Sequence, residues 1–151
     1  MLRKPFDRIP VILTETVVVP VTFDLLDPMQ VVYHGNYARF FEAARSALLD
    51  RIGFGYPEMS RAGYAFPIVE MNERFVAPAR LGDKLHVRAG ILGWDEKLHL
   101  AYDIKRDREG PLLTRAETVQ MAVDIQSGTA CWTLPDVLRS RIADLLQKTD
   151  C

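Results

Sequence analysis

Asp27-Pro-Met-Gln-Val-Val-Tyr-His-Gly-Asn-Tyr37, followed without a break by Ala38-Arg-Phe-Phe-Glu-Ala-Ala-Arg-Ser-Ala-Leu-Leu-Asp-Arg-Ile52, decides how the rest of the chain is read. A turn-forming acid stands just upstream of a Tyr-His-Gly-Asn step, and that step opens a helix of about four to five turns. Tyr37, Phe40, Phe41, Ala44, Ala47, Leu48 and Ile52 recur at helical spacing. Ala38 and Ala43 widen the apolar stripe, and Arg39, Glu42, Ser46 and Asp50 leave only a narrow polar side. Such a helix expects cover on more than one flank. Gly35 or Asn36 is its expected cap, and Gly53 and Gly55 end it. A helix start concentrates unpaired backbone N–H groups and a partial positive charge. An acid beside it makes a place where a carbonyl can be polarised and attacked, or a water activated to attack it.

On either side of this helix the period falls to two. Thr14 to Phe23 is rich in β-branched residues and reads as a strand, with Pro20 marking an edge or a bulge. Ile68 to Val76 is the next strand, and Pro78 to Asp83 is a loop. Leu85, Val87, Ala89 and Ile91 alternate with polar or small residues, as do Leu98, Leu100, Tyr102 and Ile104. Gly93-Trp-Asp-Glu96 joins those two runs as a hairpin. A two-residue turn at Asp95-Glu96 would set Val87 opposite Ile104, Arg88 opposite Asp103, Ala89 opposite Tyr102 and Ile91 opposite Leu100. A four-residue loop would shift the partners by two and keep the faces. Leu112 to Ile125 reads as one long last strand. A second, short helix begins at Thr133-Leu-Pro-Asp136, with Leu138, Ile142 and Leu145 on its apolar face. Strands joined by hairpins argue for an antiparallel sheet and hence an α+β fold, with the long helix lying against a five-stranded sheet that curls round it.

Length and charge bound the function. A chain of 151 residues is read as a single domain, 1–151, with a substantial core. A net charge of −1 gives no reason to expect nucleic acid as a partner. Cys131 and Cys151 do not make a disulfide framework and fit a reducing compartment. No apolar run suits a signal peptide or a membrane span, so the expected location is cytoplasmic, with no membrane partner. No Cys/His/Asp cluster has zinc spacing, and no metal is expected. His86 and His99 fall opposite different partners and do not form a metal pair. No Gly-x-Ser-x-Gly elbow and no glycine-rich phosphate loop is present.

The motif and the layout resemble the hot-dog fold, and within it the 4-hydroxybenzoyl-CoA thioesterase-like family of acyl-CoA thioesterases. The resemblance rests on Asp27, then Val31-Val-Tyr-His-Gly-Asn-Tyr37, then Arg39-Phe-Phe-Glu-Ala-Ala-Arg45. Pro67-Ile-Val-Glu70 with Arg74-Phe-Val-Ala-Pro-Ala-Arg-Leu-Gly-Asp83 supports it, and together the likeness covers roughly residues 14 to 137. One position departs: the family usually has Gly immediately before the Val-Val pair, and this chain has Gln30. A side chain there bears on the shape of the acyl pocket more than on the chemistry.

The resemblance implies hydrolysis of an acyl- or aroyl-CoA thioester, with no cofactor beyond the coenzyme A that is part of the substrate. Asp27, which on its residues alone reads more simply as an Asx-type turn before Pro28, becomes the carboxylate that attacks the thioester or activates water. His34, by itself a polar residue satisfying its loop, gains two roles: its backbone N–H or that of Gly35 holds the thioester oxygen, and its imidazole positions water or the leaving group. Gly35 lets the thioester approach the amide closely. Tyr33 is positioned to touch the acyl group, whereas Tyr37, Phe40 and Phe41 read as core. Among the basic residues, Arg80 and Lys84 are the first choices for the phosphates of coenzyme A, against the plain reading of a solvated strand surface. A dehydratase of carrier-bound 3-hydroxyacyl chains would carry a His-Phe-Pro-Gly loop, and His34 is followed by Gly-Asn. A non-catalytic acyl-CoA binder would have no use for Asp27. An open sheet edge, together with the resemblance, points to a homodimer or homotetramer whose pocket lies where two subunits meet.

Overall fold

Helix α1 (Tyr37–Arg51) forms where its spacing places it, and Tyr37, Phe40, Phe41, Ala44, Leu48 and Leu49 are buried along it. The computed structural model describes residues 5–149, so residues 1–4 and Cys151 lie outside the described residues. Around α1 the chain forms strands β1 (Thr14–Pro20), β2 (Tyr64–Ala65), β3 (Ile68–Phe75), β4 (Lys84–Trp94), β5 (Leu98–Lys105), β6 (Leu112–Gln120) and β7 (Val123–Asp124). Five of them make one antiparallel sheet in the order β1-β4-β5-β6-β3. Its inner face carries Val87, Ala89, Ile91, Leu98, Leu100, Tyr102 and Ile104, all buried with the α1 stripe in one core. Phe41 and Tyr102 meet there with ring centroids 4.9 Å apart. This is the five-stranded α+β arrangement that the alternation and the single long helix imply.

The central hairpin keeps the expected partners but closes differently. Val87 pairs with Ile104, Arg88 with Asp103, Ala89 with Tyr102 and Ile91 with Leu100. Beyond Ile91 a bulge intervenes, and Gly93 pairs with His99 and Trp94 with Leu98. The loop is therefore Asp95 to Lys97, three residues rather than two or four. The extra residue is absorbed by the bulge, so the faces are unchanged. Arg88 lies on the outer face, where it pairs with Asp103 at 2.5 Å and lies 3.8 Å over the Phe6 ring.

Four expectations need correction. The first strand stops at Pro20, and Phe23–Leu25 is a single helical turn. The last strand is not continuous to Ile125: β6 ends at Gln120, and β7 leaves the main sheet to pair with β2. Gln120 Nε2 donates to the Phe66 carbonyl at 2.7 Å across this junction. A helix absent from the sequence reading, α2 (Tyr56–Ala62), follows α1. Its signals are Pro57 in the first turn and the left-handed Gly63 at its end. Asn36 does precede α1, but its side chain donates to the Leu25 carbonyl rather than capping the helix, because a helical turn at His34–Asn36 already leads into it. The C-terminal helix α3 (Asp136–Thr149) starts as expected, with Leu138 and Ile142 buried.

Because Phe41 is 1% exposed and sits between α1 and β5, Phe41→Ala is predicted to destabilise the fold by about 3–5 kcal/mol. Urea denaturation followed by circular dichroism measures this, and a loss under 1 kcal/mol would show that the helix–sheet contact is not where the core is concentrated.

Candidate active site

The loop before α1 is a miniature hairpin. Leu26 bridges to Val32, Asp27 N donates to the Val31 carbonyl at 2.8 Å, and Gln30 N donates back to the Asp27 carbonyl at 2.9 Å. Asp opening a turn with Pro next is a favoured combination, since Pro fixes φ and the carboxylate can accept backbone amides. Asp27 does accept them: its Oδ1 receives Met29 N at 2.8 Å and Val31 N at 3.4 Å. The Asx-type turn is thus real. Both bonds use Oδ1, which leaves Oδ2 outside the turn's own bonding. Asp27 is half-buried.

This turn is tied to the helix start through one acceptor. The Leu25 carbonyl receives Tyr33 N at 2.9 Å and Asn36 Nδ2 at 2.9 Å. Asn36 N in turn donates to the Tyr33 carbonyl at 2.9 Å, closing the first helical turn. His34 and Gly35 precede that bond, at the positions whose amides a helix leaves without an internal acceptor. Tyr33, His34 and Gly35 are all exposed, and the Tyr33 and His34 rings lie 4.4 Å apart. A Cβ on Gly35 would come within 2.4 Å of Tyr33 Cε1, so a side chain at residue 35 would have to displace the exposed Tyr33 ring.

Arg80 and Lys84 stand on different elements. Arg80 bridges to Val31, and Val32 N donates to the Ala79 carbonyl at 2.9 Å, which puts Arg80 beside the Asp27 turn. Its own backbone N–H is held by Asp83 at 2.8 Å. Lys84 follows that turn, begins β4 and pairs with Pro20.

One residue near the site was not singled out from sequence. Glu73 on β3 is half-buried, and burial raises its carboxyl above the usual range while the His34 charge opposes that rise. Burial likewise raises Tyr37, and the Glu73 charge adds to it. An acid between Met71 and Phe75 at alternating positions was the signal available. Among the described residues no cluster of His, Cys, Asp and Glu has the arrangement of a metal site.

Residues 21–142 match the Thioesterase-like superfamily. The chain belongs to that superfamily. It is, on that membership, a thioester hydrolase. It is 30% identical over 106 residues to the acyl-CoA thioester hydrolase YbgC of Escherichia coli O6:H1, spanning 70% of this chain and 79% of that protein. It is 30% identical over 127 residues to the chloroplastic acyl-acyl carrier protein thioesterase ATL3 of Arabidopsis thaliana, spanning 83% of this chain and 65% of that protein. The structure superposes on TT1821 from Thermus thermophilus with a TM-score of 0.76 at 30% identity, covering 86% of this chain and 98% of that one.

Within the thioesterase-like frame, the Gln30 departure acquires a physical meaning. Gln30 has φ +62°, the only positive φ among the described non-glycine residues. A three-residue hairpin loop whose last member is left-handed favours Gly at that place. The side chain costs the loop about 1–2 kcal/mol in the left-handed region, and a Gly would in turn lose more freedom on folding, about 0.5–1 kcal/mol. Gln30→Gly is therefore predicted to leave stability unchanged or raise it by up to about 1 kcal/mol, and Gln30→Val to lower it by about 1 kcal/mol or more. Thermal melts of the two variants check the order; a Val variant as stable as wild type would contradict the left-handed turn.

Proposed function

We propose that this chain hydrolyses an acyl- or aroyl-CoA thioester to the free acid and CoA, with Asp27 as nucleophile or general base and the His34 and Gly35 amides as the oxyanion site. The observation that carries this reading is the shared Leu25 carbonyl, which fastens the Asp27 turn to the open start of α1. Negative charge develops on the carbonyl oxygen as the carbon is attacked, and preorganised N–H groups at a helix start stabilise it. The carboxylate works from the other side. As nucleophile, Oδ2 adds to the carbonyl carbon and the C–S bond breaks, giving a mixed anhydride and a thiolate that takes a proton; water then cleaves the anhydride. As base, Asp27 takes a proton from water, whose oxygen forms the new C–O bond; the C–S bond then breaks, and the departing thiolate takes the proton back from Asp27. His34 positions water or the leaving thiol, Tyr33 touches the acyl group, and Arg80 meets the CoA phosphates, with Lys84 further along the rim. No cofactor or metal has a step to perform. The YbgC and ATL3 names point to two carriers, and free CoA is our choice, with acyl carrier protein as the other arm of the assay.

The same reading places a single-domain enzyme in the cytoplasm. Among the described residues no helix is long and apolar enough to cross a membrane. Strand β3 is an open edge with Val69, Met71 and Phe75 exposed, a surface that natural proteins cover or pair. We assign it to a homodimer joined edge to edge, with further pairing to a tetramer. Sedimentation is expected to show at least a dimer; a monomer with full activity would overturn this.

Release of CoA thiol from a panel of acyl- and aroyl-CoA thioesters, and from matched carrier-protein thioesters, tests the chemistry. In Asp27→Asn the amide oxygen still accepts Met29 N, so the turn survives while nucleophilicity and basicity are lost. Turnover is predicted to fall by about 10²–10⁴-fold, with melting temperature and substrate binding nearly unchanged. A variant as fast as wild type would remove Asp27 from the mechanism, and binding without turnover in wild type would favour a pure binder.

A further inference from the structure

We propose that the outer face of the sheet carries a second ligand site, a cleft between Arg115, Lys105 and the turn Pro5–Arg8 that binds a free organic diphosphate. The strand register places the groups. Arg88 lies on the outer face, and its row runs across the sheet through Asp103 on β5 and Arg115 on β6 to Arg74 on β3. Two residues along on the same face, His86 pairs with Lys105. Basic residues thus stand directly opposite each other twice, Arg74 with Arg115 and His86 with Lys105. Like charges so placed oppose strand pairing, the second pair whenever His86 is protonated, so the sheet itself gives no reason for them. The acids of this face are engaged elsewhere. Asp103 is held by Arg88 through two hydrogen bonds, and Glu117 meets His99 at 3.3 Å. Asp7, Asp107 and Glu109 are exposed and pair with neither cation. Among the described residues, Arg115 and Lys105 have no acidic partner, although both are half-buried. A cation withdrawn from water calls for an anion.

There is room for one. Arg115 and Lys105 line a cavity of about 250 Å³ together with Pro5, Phe6 and Leu112. Arg115 also lines its neighbour of about 320 Å³, with Arg74 and Asn72. Glu73 edges that second cavity, but its register with Ala116 and Tyr102 belongs to the inner face. The wall opposite the cations is the turn Pro5–Arg8. Phe6 seats it: the Arg88 guanidinium lies 3.8 Å over the Phe6 ring, and a Cβ on Gly90 would come within 2.9 Å of that ring. By strand geometry the Cα atoms of Arg115 and Lys105 are about 8 Å apart, so two long side chains can close on two linked phosphates. The guanidinium fork takes two oxygens of one phosphate, and the ammonium neutralises the other. A single phosphate would answer only one of the two like-charge pairs. Pro5, Phe6 and Leu112 offer the organic part an apolar wall. The cleft is separate from the residues assigned above to the CoA phosphates. Lys84 is two strands and four residues from Arg115, about 16 Å by the same geometry, and Arg80 stands beside the Asp27 turn.

The test titrates the ¹⁵N-labelled full chain with inorganic pyrophosphate, ADP and inorganic phosphate, and reads the Nε–H signal of Arg115. Pyrophosphate and ADP are expected to move that signal saturably, more tightly than phosphate and less tightly as salt rises. Arg115→Gln and Lys105→Gln are each expected to weaken pyrophosphate binding about tenfold, the size of a lost charge-assisted hydrogen bond, as read by calorimetry. Without ligand, Arg115→Gln should melt no lower than wild type, because a like-charge pair is relieved. CoA also carries a diphosphate, so KM for benzoyl-CoA and octanoyl-CoA is measured in both variants and is expected to stay nearly unchanged. The proposal is overturned if pyrophosphate and ADP give no saturable shift at millimolar concentration, or if Arg115→Gln binds pyrophosphate as wild type does. It is equally overturned if KM rises as far as pyrophosphate affinity falls, which would make the cleft part of the substrate site. Should Arg115→Gln fail to fold, Lys105→Gln and the wild-type titration still decide. A wild type inactive on every thioester would sink the hydrolase reading and leave this one standing. The dissociation constant of a non-hydrolysable acyl-CoA thioether would then replace KM.

Discussion

Burial of α1 against the inner face of the sheet is the constraint on which the rest depends. The helix carries Phe40, Phe41, Ala44, Leu48 and Leu49 in one stripe, each at most 2% exposed. It has no stable existence in water, since helices of this length owe most of their stability to tertiary packing. The sheet in turn has Val87, Ala89, Ile91, Leu100 and Ile104 to cover. Each element completes the other, and the consequence for function is positional. Once Phe41 is seated on Tyr102, the start of α1 can point in only one direction, and the amides before Asn36 are fixed with it.

The Leu25 carbonyl then converts a packed helix into a site. Two donors converge on it, one from the backbone of Tyr33 and one from the side chain of Asn36. The Asp27 turn is built on the residues between, so it cannot move independently of the helix start. Val31 and Val32 stitch the same loop to Ala79 and Arg80 on the segment after β3. Rigid support on both sides is what an electrostatic mechanism requires, because donors already in place need no reorganisation as charge develops.

The sequence disclosed most of this through two periodicities and one motif. The α1 stripe, the β4–β5 register and the Asp27 turn are local signals, set by side-chain spacing and turn chemistry within a few residues. What escaped was decided by distant partners. At the split between β6 and β7 the Gln120 side chain meets the Phe66 carbonyl, 54 residues earlier, and β7 pairs with the equally distant β2. The bulge beyond Ile91 is invisible to alternation because it leaves every face unchanged. Asn36 looks like a helix cap, yet Leu25 captures its amide. Arg45, assigned to neither face of α1 from its spacing, is buried and paired with Glu42. The left-handed Gln30 was marked by its departure from a family pattern, and only the backbone revealed why Gly is favoured there.

The most direct test of the account is to find where the thioester group sits. Backbone amide NMR of the ¹⁵N-labelled full chain, titrated with an acyl-CoA analogue whose sulfur is replaced by methylene, reads this without turnover. The account predicts that the largest shifts fall on His34 and Gly35, with Asp27 moving in the same titration. Shifts concentrated on the outer sheet face around Arg88, with His34 and Gly35 unmoved, would contradict it.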